Sequence, residues 1–248
     1  MAQACSKKFL VLVPCRNEQD RIGKVIDAIH HVLPAAPVVV VDDGSGDRTR
    51  EQALAHGATV LSHVVNLGYG AALETGYLYA MKNRFQAVLQ MDGDGQHLAE
   101  ELPRLLAPLE AQEADLVIGS RHLAGEPDPS SSFIRHVGQK LFGLIVSALT
   151  RRHFSDPTSG FQGLGNRALR LFASGVFPYD YPDTDVLLMS HLAGLRITET
   201  PVHMLSRAEG KSMHTWYSAC YYVFKMFLSI FVVLLNSAMW KRWRKHAA

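Results

Sequence analysis

An α/β fold with a mostly parallel sheet and helices on both faces is what this sequence predicts, and three observations predict it. Short apolar runs alternate with helix-period segments from residue 9 to residue 120. Two of the runs, FLVLVP and PVVVVDD, are apolar without alternation, which suits strands covered on both sides. The residues that carry chemistry fall just after those runs, and open α/β sheets bind ligands beyond the carboxyl ends of their strands. The chain has 248 residues, 48% of them hydrophobic, enough for one large domain or a domain with a small appendage.

The elements follow in order. FLVLVP reads as a first strand, too short and too abruptly ended by Cys-Arg-Asn-Glu for a signal peptide. Gln19–Val32 has helical periodicity. PVVVVDD is a second strand, after which Asp47 can cap a helix through His56. TVLSHV is a third strand and Tyr69–Asn83 a helix. AVLQMD is a fourth strand, followed by a helix around Glu100–Gln112 and by DLVIG as a fifth strand. The tract 122–132, HLAGEPDPSSS, is rich in Pro, Ser and Gly and reads as a loop.

Net charge is only +2, but from Arg207 onward seven Lys/Arg face one acid, Glu209, so the body is mildly acidic and the tail basic. Such a tail fits an anionic lipid surface, and no nucleic-acid motif accompanies it. Three cysteines without metal-type spacing fit a reducing compartment.

LQMDGDGQH (89–97) holds two carboxylates one residue apart, Asp92 and Asp94, at the end of an apolar run. Carboxylates that close repel unless something positive joins them. A calcium EF-hand fails, because the glycine required at loop position six is His97 and the glutamate at position twelve is Pro103. A solvated acidic turn needs no ligand and stays open. The chemical reading is a Mg²⁺ or Mn²⁺ site in which Asp92, Asp94 and Gln96 leave positions for water and a substrate phosphate. A dinucleotide fingerprint is absent, since its third glycine after Gly68 and Gly70 would fall at Leu73.

VPCRNE, VVVVDDGSGDRT, NLGYGAAL, QMDGDGQH, VIGSR, DPTSGFQ, TETPV and RAEGKS occur in that order. Together they resemble the family 2 glycosyltransferases of GT-A fold, in the dolichyl-phosphate or polyprenyl-phosphate mannose synthase branch, over residues 8–212. The resemblance implies a GT-A domain over 1–213. It implies a nucleoside pocket at Pro14, Arg16 and Glu18, base and ribose contacts at Asp42 and Asp43, and Gly68 among the residues that bind the donor. Asp92, Asp94 and Gln96 match the family's metal motif. Arg121, Arg135 and Arg207 match arginines that hold donor diphosphate or acceptor phosphate. Ser159 and Gly160 match a turn near the acceptor, with Asp156 just before. The family often has lysine at the position of Tyr69 and serine near that of Gln139.

The expected reaction is inverting transfer of a sugar from a GDP- or UDP-sugar to a polyprenyl phosphate. A hydroxyl acceptor is the alternative. It needs a general base, for which Asp183 is the candidate; Asp183 can equally cap the helix that follows. An inactive sugar-nucleotide-binding scaffold is the third reading. The stretch 216–245 reads as an apolar helix with one polar line through Ser218, Lys225, Ser229 and Asn236 and a KRWRK end. Fifteen uncharged residues separate Lys225 from Lys241, roughly 22 Å of helix, short of a ~30 Å hydrocarbon core. Residues 214–248 are therefore expected to lie at the cytosolic membrane interface or to join a second copy as a homo-oligomer, with a tilted single span that uses residues before Lys225 and a soluble core helix as the alternatives.

Overall fold

The structure is a computed structural model, and it describes residues 9–125, 143–178, 182, 184–205 and 216–246. Strands β1 (Phe9–Cys15), β2 (Val38–Asp42), β3 (Thr59–Ser62), β4 (Ala87–Gln90), β5 (Leu116–Ser120), β6 (Gln162–Gly165) and β7 (Ile197–Pro201) form one sheet. Its order is β3-β2-β1-β4-β6-β5-β7. All neighbours run parallel except β6, which is antiparallel to β4 and β5. The five expected strands are all present. The reversed strand β6 and the edge strand β7 are additions.

Between the strands lie α1 (Ile22–Val32), α2 (Thr49–Ala55), α3 (Tyr69–Lys82), α4 (Leu102–Glu110), α5 (helical residues 143–150), α6 (Asn166–Phe172) and α7 (Thr184–Leu192). Side chains of a strand alternate between the two faces of the sheet, and the four-valine run divides accordingly. Val38 and Val40 join a core with Ile22, Ile26 and Leu105 of α1 and α4. Val39 and Val41 join the opposite core with Leu73, Tyr77, Phe172 and Leu188 of α3, α6 and α7. Helix α3 lies close on β1, where a Cβ at Gly76 would stand 2.3 Å from Leu12 Cδ1.

The stretch expected as one C-terminal helix forms two, α8 (Trp216–Leu235) and α9 (Ser237–His246), which meet at Asn236. Met226, Ile230, Val233 and Trp240 are buried in the core of the α3 face. The polar line turns inward at Ser229, whose hydroxyl donates to the buried Asp185 of α7. Burial also lowers the pKa of Lys225. Among the described residues no helix is long and apolar enough to cross a membrane. The expected boundary between residues 213 and 214 lies outside the described residues.

Candidate active site

Strands β1, β2 and β4 end at one edge of the sheet, and their loops are stitched together there. Asn17 N–H donates to Ser45 Oγ at 2.9 Å, and Gly46 N–H donates to Asn17 Oδ1 at 2.9 Å. Glu18 N–H donates to Thr49 Oγ1 at 2.8 Å. Asn17 has φ of 56°, a left-handed conformation that asparagine tolerates better than most residues. Gly44, at φ 66°, lies under the backbone of the next loop: a Cβ there would stand 2.6 Å from the carbonyl carbon of Val65. The sequence DDGS therefore needs its glycine for space as well as for conformation.

Asp42 and Asp43 are buried and already engaged. Asp42 Oδ1 accepts from Ser45 N–H at 3.1 Å. Asp43 Oδ1 accepts from Leu67 N–H at 2.8 Å and lies 2.7 Å from His63 Nδ1, while Oδ2 accepts from Gly68 N–H at 2.9 Å. Asp43 thus shapes the 63–68 loop that leads into α3. A cleft of about 520 Å³ opens above these loops, lined by Pro14, Arg16, Glu18, Asp43, Gly68, Asp92 and Asp94 among others. Seven residues assigned from the sequence resemblance meet in that cleft. Asp42 supports it from below.

The DGDGQH loop forms one wall. Tyr69 Oη donates to Asp92 Oδ1 at 2.8 Å. Asp92 N–H donates to His97 Nδ1 at 2.9 Å, so a neutral His97 carries its proton on Nε2, 3.9 Å from Asp92 Oδ2. The His97 ring stacks on Phe161 with centroids 4.8 Å apart. Desolvation raises the Asp92 pKa and outweighs the opposing pull of His97. Asp94 Oδ1 accepts from Gln96 N–H at 3.0 Å and Oδ2 from the Gln96 side-chain amide. Gln96 therefore orients Asp94 through donors. Two hard carboxylates in one loop fit Mg²⁺ or Mn²⁺, which bind through one or two carboxylates plus substrate phosphates. Among the described residues no third His, Cys, Asp or Glu completes a metal cluster, so donor phosphate and water would supply the other ligands.

Strand β6 brings the other wall. Because it runs against its neighbours, its first residue lies at the edge where theirs end, and the turn 155–161 arrives beside Asp92. A Cβ at Gly160 would stand 2.9 Å from Tyr69 Oη and 3.2 Å from Asp92 Oδ2. Gln90 ties the pieces together: its Nε2 donates to Gly160 O at 2.9 Å and to Tyr69 Oη at 3.3 Å, and its Oε1 accepts from Tyr77. Gln90, Tyr77 and His97 were not among the residues expected from sequence. The visible signal was a glutamine in an otherwise apolar strand.

Arg121 is absent from the residues that line the cleft. Its Nε donates to Asp156 Oδ2 at 2.9 Å and its Nη2 to Oδ1 at 3.2 Å. Asp156 is 1% exposed, and the turn behind it is gripped by Glu199 of β7. Glu199 Oε1 accepts from Ser155 N–H at 2.9 Å, Ser155 Oγ at 2.8 Å and Asp156 N–H at 3.1 Å. Asp156 borders a separate, mainly apolar groove of about 480 Å³, which it lines with Leu144, Phe154 and Pro157. Arg135, Gln139, Asp183 and Arg207 lie outside the described residues.

Comparison with known proteins bears on the family and the fold. The model of the family described as glycosyl transferase family 2 matches residues 10–174. The polyprenol monophosphomannose synthase of Mycolicibacterium smegmatis is 30% identical over 215 residues, 84% of this chain and 81% of that protein. The undecaprenyl-phosphate mannosyltransferase of Micrococcus luteus is 29% identical over 216 residues, 83% of this chain and 86% of that protein. Among solved structures, mannosyl-3-phosphoglycerate synthase from Rubrobacter xylanophilus superposes with a TM-score of 0.71 at 21% identity, covering 94% of this chain and 75% of that one.

Proposed function

From the premise that this chain belongs to glycosyl transferase family 2 and is a glycosyltransferase, we propose that it moves a sugar from a nucleotide-sugar donor to a polyprenyl phosphate at a membrane surface. The observation that carries the acceptor is the near full-length similarity to two proteins whose names specify a polyprenol or undecaprenyl-phosphate product or substrate. The cleft at the sheet edge supports a nucleoside diphosphate as the donor's leaving group.

The chain's own groups divide the work. Pro14, Arg16 and Glu18 border the nucleoside, with Asp43 holding the loop that carries Gly68 to the diphosphate. Asp92 and Asp94 would hold Mg²⁺ or Mn²⁺, with Tyr69 and Gln96 fixing their orientation. When bound, such a cation neutralises charge on the departing diphosphate. Arg135 and Arg207 are assigned to phosphate, which guanidinium grips bidentately. Arg121 is held by Asp156 through Nε and Nη2. A phosphate acceptor is already ionised near neutral pH, by analogy with phosphorylated side chains whose second pKa is about 6, and attacks the anomeric carbon without a base. Asp185, two residues beyond Asp183, is buried against Ser229 and is no base for a substrate.

Membrane association follows from the acceptor and from the exposed apolar side of α8, where Phe227, Phe231 and Leu235 face outward. The test is transfer of radiolabel from a panel of GDP- and UDP-sugars to polyprenyl phosphate, scored in the organic-extractable fraction. Transfer into lipid supports the reading. Label that enters only a hydroxyl acceptor, and does so dependent on Asp183, replaces it with the alternative.

A further inference from the structure

His63 stands just after β3, and its ring joins two parts of the candidate site that are distant in sequence. Nδ1 lies 2.7 Å from Asp43 Oδ1, and Nε2 lies 2.9 Å from Thr75 Oγ1 of α3. The His63 and Asp43 side chains are 10% and 6% exposed. Asp43 is the residue whose two oxygens accept from Leu67 and Gly68 N–H, at 2.8 and 2.9 Å. Tyr69 follows directly, opens α3 and holds Asp92. The ring therefore braces the segment that carries Gly68 and Tyr69 into the cleft, with Asp43 on one side and the second turn of α3 on the other.

The proton count on this ring follows from its partners. Thr75 Oγ1 also lies 2.9 Å from Ala71 O, a carbonyl that can only accept. The hydroxyl has one proton, and that proton goes to Ala71 O. Oγ1 then offers only lone pairs to His63, so Nε2 is the donor. At the other nitrogen the partner is a carboxylate oxygen, which accepts, so Nδ1 is a donor too. A histidine that donates from both ring nitrogens is an imidazolium. Neither neutral form satisfies the same contacts. With its proton on Nδ1 alone, the ring needs the Thr75 hydroxyl turned to Nε2, which leaves Oγ1 and Ala71 O 2.9 Å apart with no proton between them. With its proton on Nε2 alone, a nitrogen lone pair faces the Asp43 carboxylate at 2.7 Å.

We infer that His63 is a positioning residue of the donor site, held doubly protonated between Asp43 and Thr75, and that its charge lets Asp43 stand in the wall of a cleft for an anionic diphosphate. The inference rests on the nucleotide-sugar reading above and deepens it. Asp43 lines the cleft, and a carboxylate with no partner there would repel a diphosphate. The imidazolium offsets that charge at 2.7 Å and leaves both carboxylate oxygens on the Leu67 and Gly68 N–H groups. His63 is absent from the residues that line the cleft, so it acts through Asp43 and not on the substrate.

The ring of the unaltered full chain gives the first test. A long-range proton–nitrogen NMR spectrum near neutral pH, with His63 assigned by through-bond correlation, should show both of its nitrogens protonated. One bare nitrogen overturns the inference. Calorimetric titration with UDP and with GDP, in the presence of Mn²⁺, gives the second. Thr75→Val keeps the size of the side chain and removes the acceptor for Nε2. The ring should then lose a proton, and the nucleotide that binds should weaken about tenfold, the order of one charge-assisted hydrogen bond. Thr75→Ser keeps the hydroxyl and should keep both the second proton and the affinity. A structural role alone would lower the melting temperature of Thr75→Val and move neither the ring spectrum nor the affinity; that outcome overturns the inference, as does lost affinity with the ring still doubly protonated. If Thr75→Val does not fold, the spectrum of the unaltered chain still decides. An unaltered chain that binds neither UDP nor GDP overturns the donor reading and the role of His63 with it, a result distinct from a bare ring nitrogen.

Discussion

Asp115 accepts four hydrogen bonds at the amino-terminal end of β5, far in sequence from their donors. Arg196 gives three, from its backbone N–H, Nε and Nη2, and Arg167 Nη1 gives the fourth at 2.9 Å. Burial alone pushes the Asp115 carboxyl up; the Arg196 hydrogen bonds and the Arg167 charge more than reverse this and hold it below the ordinary range. A depressed carboxylate stabilises the fold above its unfolded pKa of about 3.9, and that stabilisation is lost as pH falls through the lower folded value. Asp115→Asn should therefore cost about 2 kcal/mol at pH 7, with half-exposed Arg196 limiting the effect. Urea midpoints of the two proteins should converge as pH drops below about 4. A penalty of the same size at pH 3 would mean that packing, not charge, is responsible. Asp94 makes the contrasting case. It is half-buried, and its bonds come from Gln96 in its own loop. Asp94→Asn keeps the shape and removes a charge, so turnover should drop by two or more orders of magnitude while the melting temperature moves little. Manganese affinity, read by calorimetry, should fall in parallel; undiminished turnover in chelator would dispose of the metal role.

At the scale of elements, the turn 155–161 is positioned by a strand that lies nowhere near it in sequence. Glu199→Ala would leave the Ser155 and Asp156 N–H groups without their acceptor, at about 1–3 kcal/mol for each buried donor. The turn would loosen, Gly160 would shift from Asp92, and turnover should fall at least tenfold. Glu199→Gln retains an acceptor oxygen and should recover most of both stability and turnover. Melting curves beside donor-dependent turnover decide the matter, and a variant that is less stable yet fully active would confine Glu199 to a structural role. This turn also marks what was legible beforehand. Strands β1, β2, β4 and β5 announce themselves because they are buried on both faces and read as unbroken apolar runs. Strand β6, QGLG, offers two glycines and a glutamine, and β7, ITETP, alternates with polar residues; neither carries enough apolar pattern to declare a strand. The cleft was legible because its residues follow the strands directly. The Arg121–Asp156 pair and the Glu199 grip were not, since their partners lie 35 and about 44 residues away and meet only through the reversed strand.

The molecule as a whole has one side that its own fold leaves apolar. Helix α8 seals Met226, Ile230 and Val233 against the core and turns Ser229 to Asp185. Phe227, Leu228, Phe231, Val232 and Leu235 are left between 45% and 66% exposed. The sequence reading set the polar line and the basic end as the motive for membrane binding; with Ser229 of that line turned to Asp185 of α7, the proposed membrane contact falls to the exposed apolar side. Helix α9 continues from it with the basic run KRWRK, of which Arg242 is exposed. Basic residues near an anionic surface contribute about 1 kcal/mol each and lose it to salt, whereas the apolar contribution of a buried Phe or Leu, about 1.5–3 kcal/mol when complete, does not depend on salt. The full chain should then co-sediment with vesicles containing anionic lipid, more weakly with zwitterionic ones, and incompletely dissociate in 0.5 M salt, roughly twice the screening of physiological buffer. Phe231→Ser with Leu235→Ser removes two exposed side chains that the core does not use. Vesicle affinity should fall roughly ten- to a hundredfold with the melting temperature unchanged. If vesicle binding survives that pair while light scattering shows a dimer becoming a monomer, α8 is covered by a second copy of the chain. The polyprenyl phosphate would then have to reach the cleft from a membrane bound through some other surface.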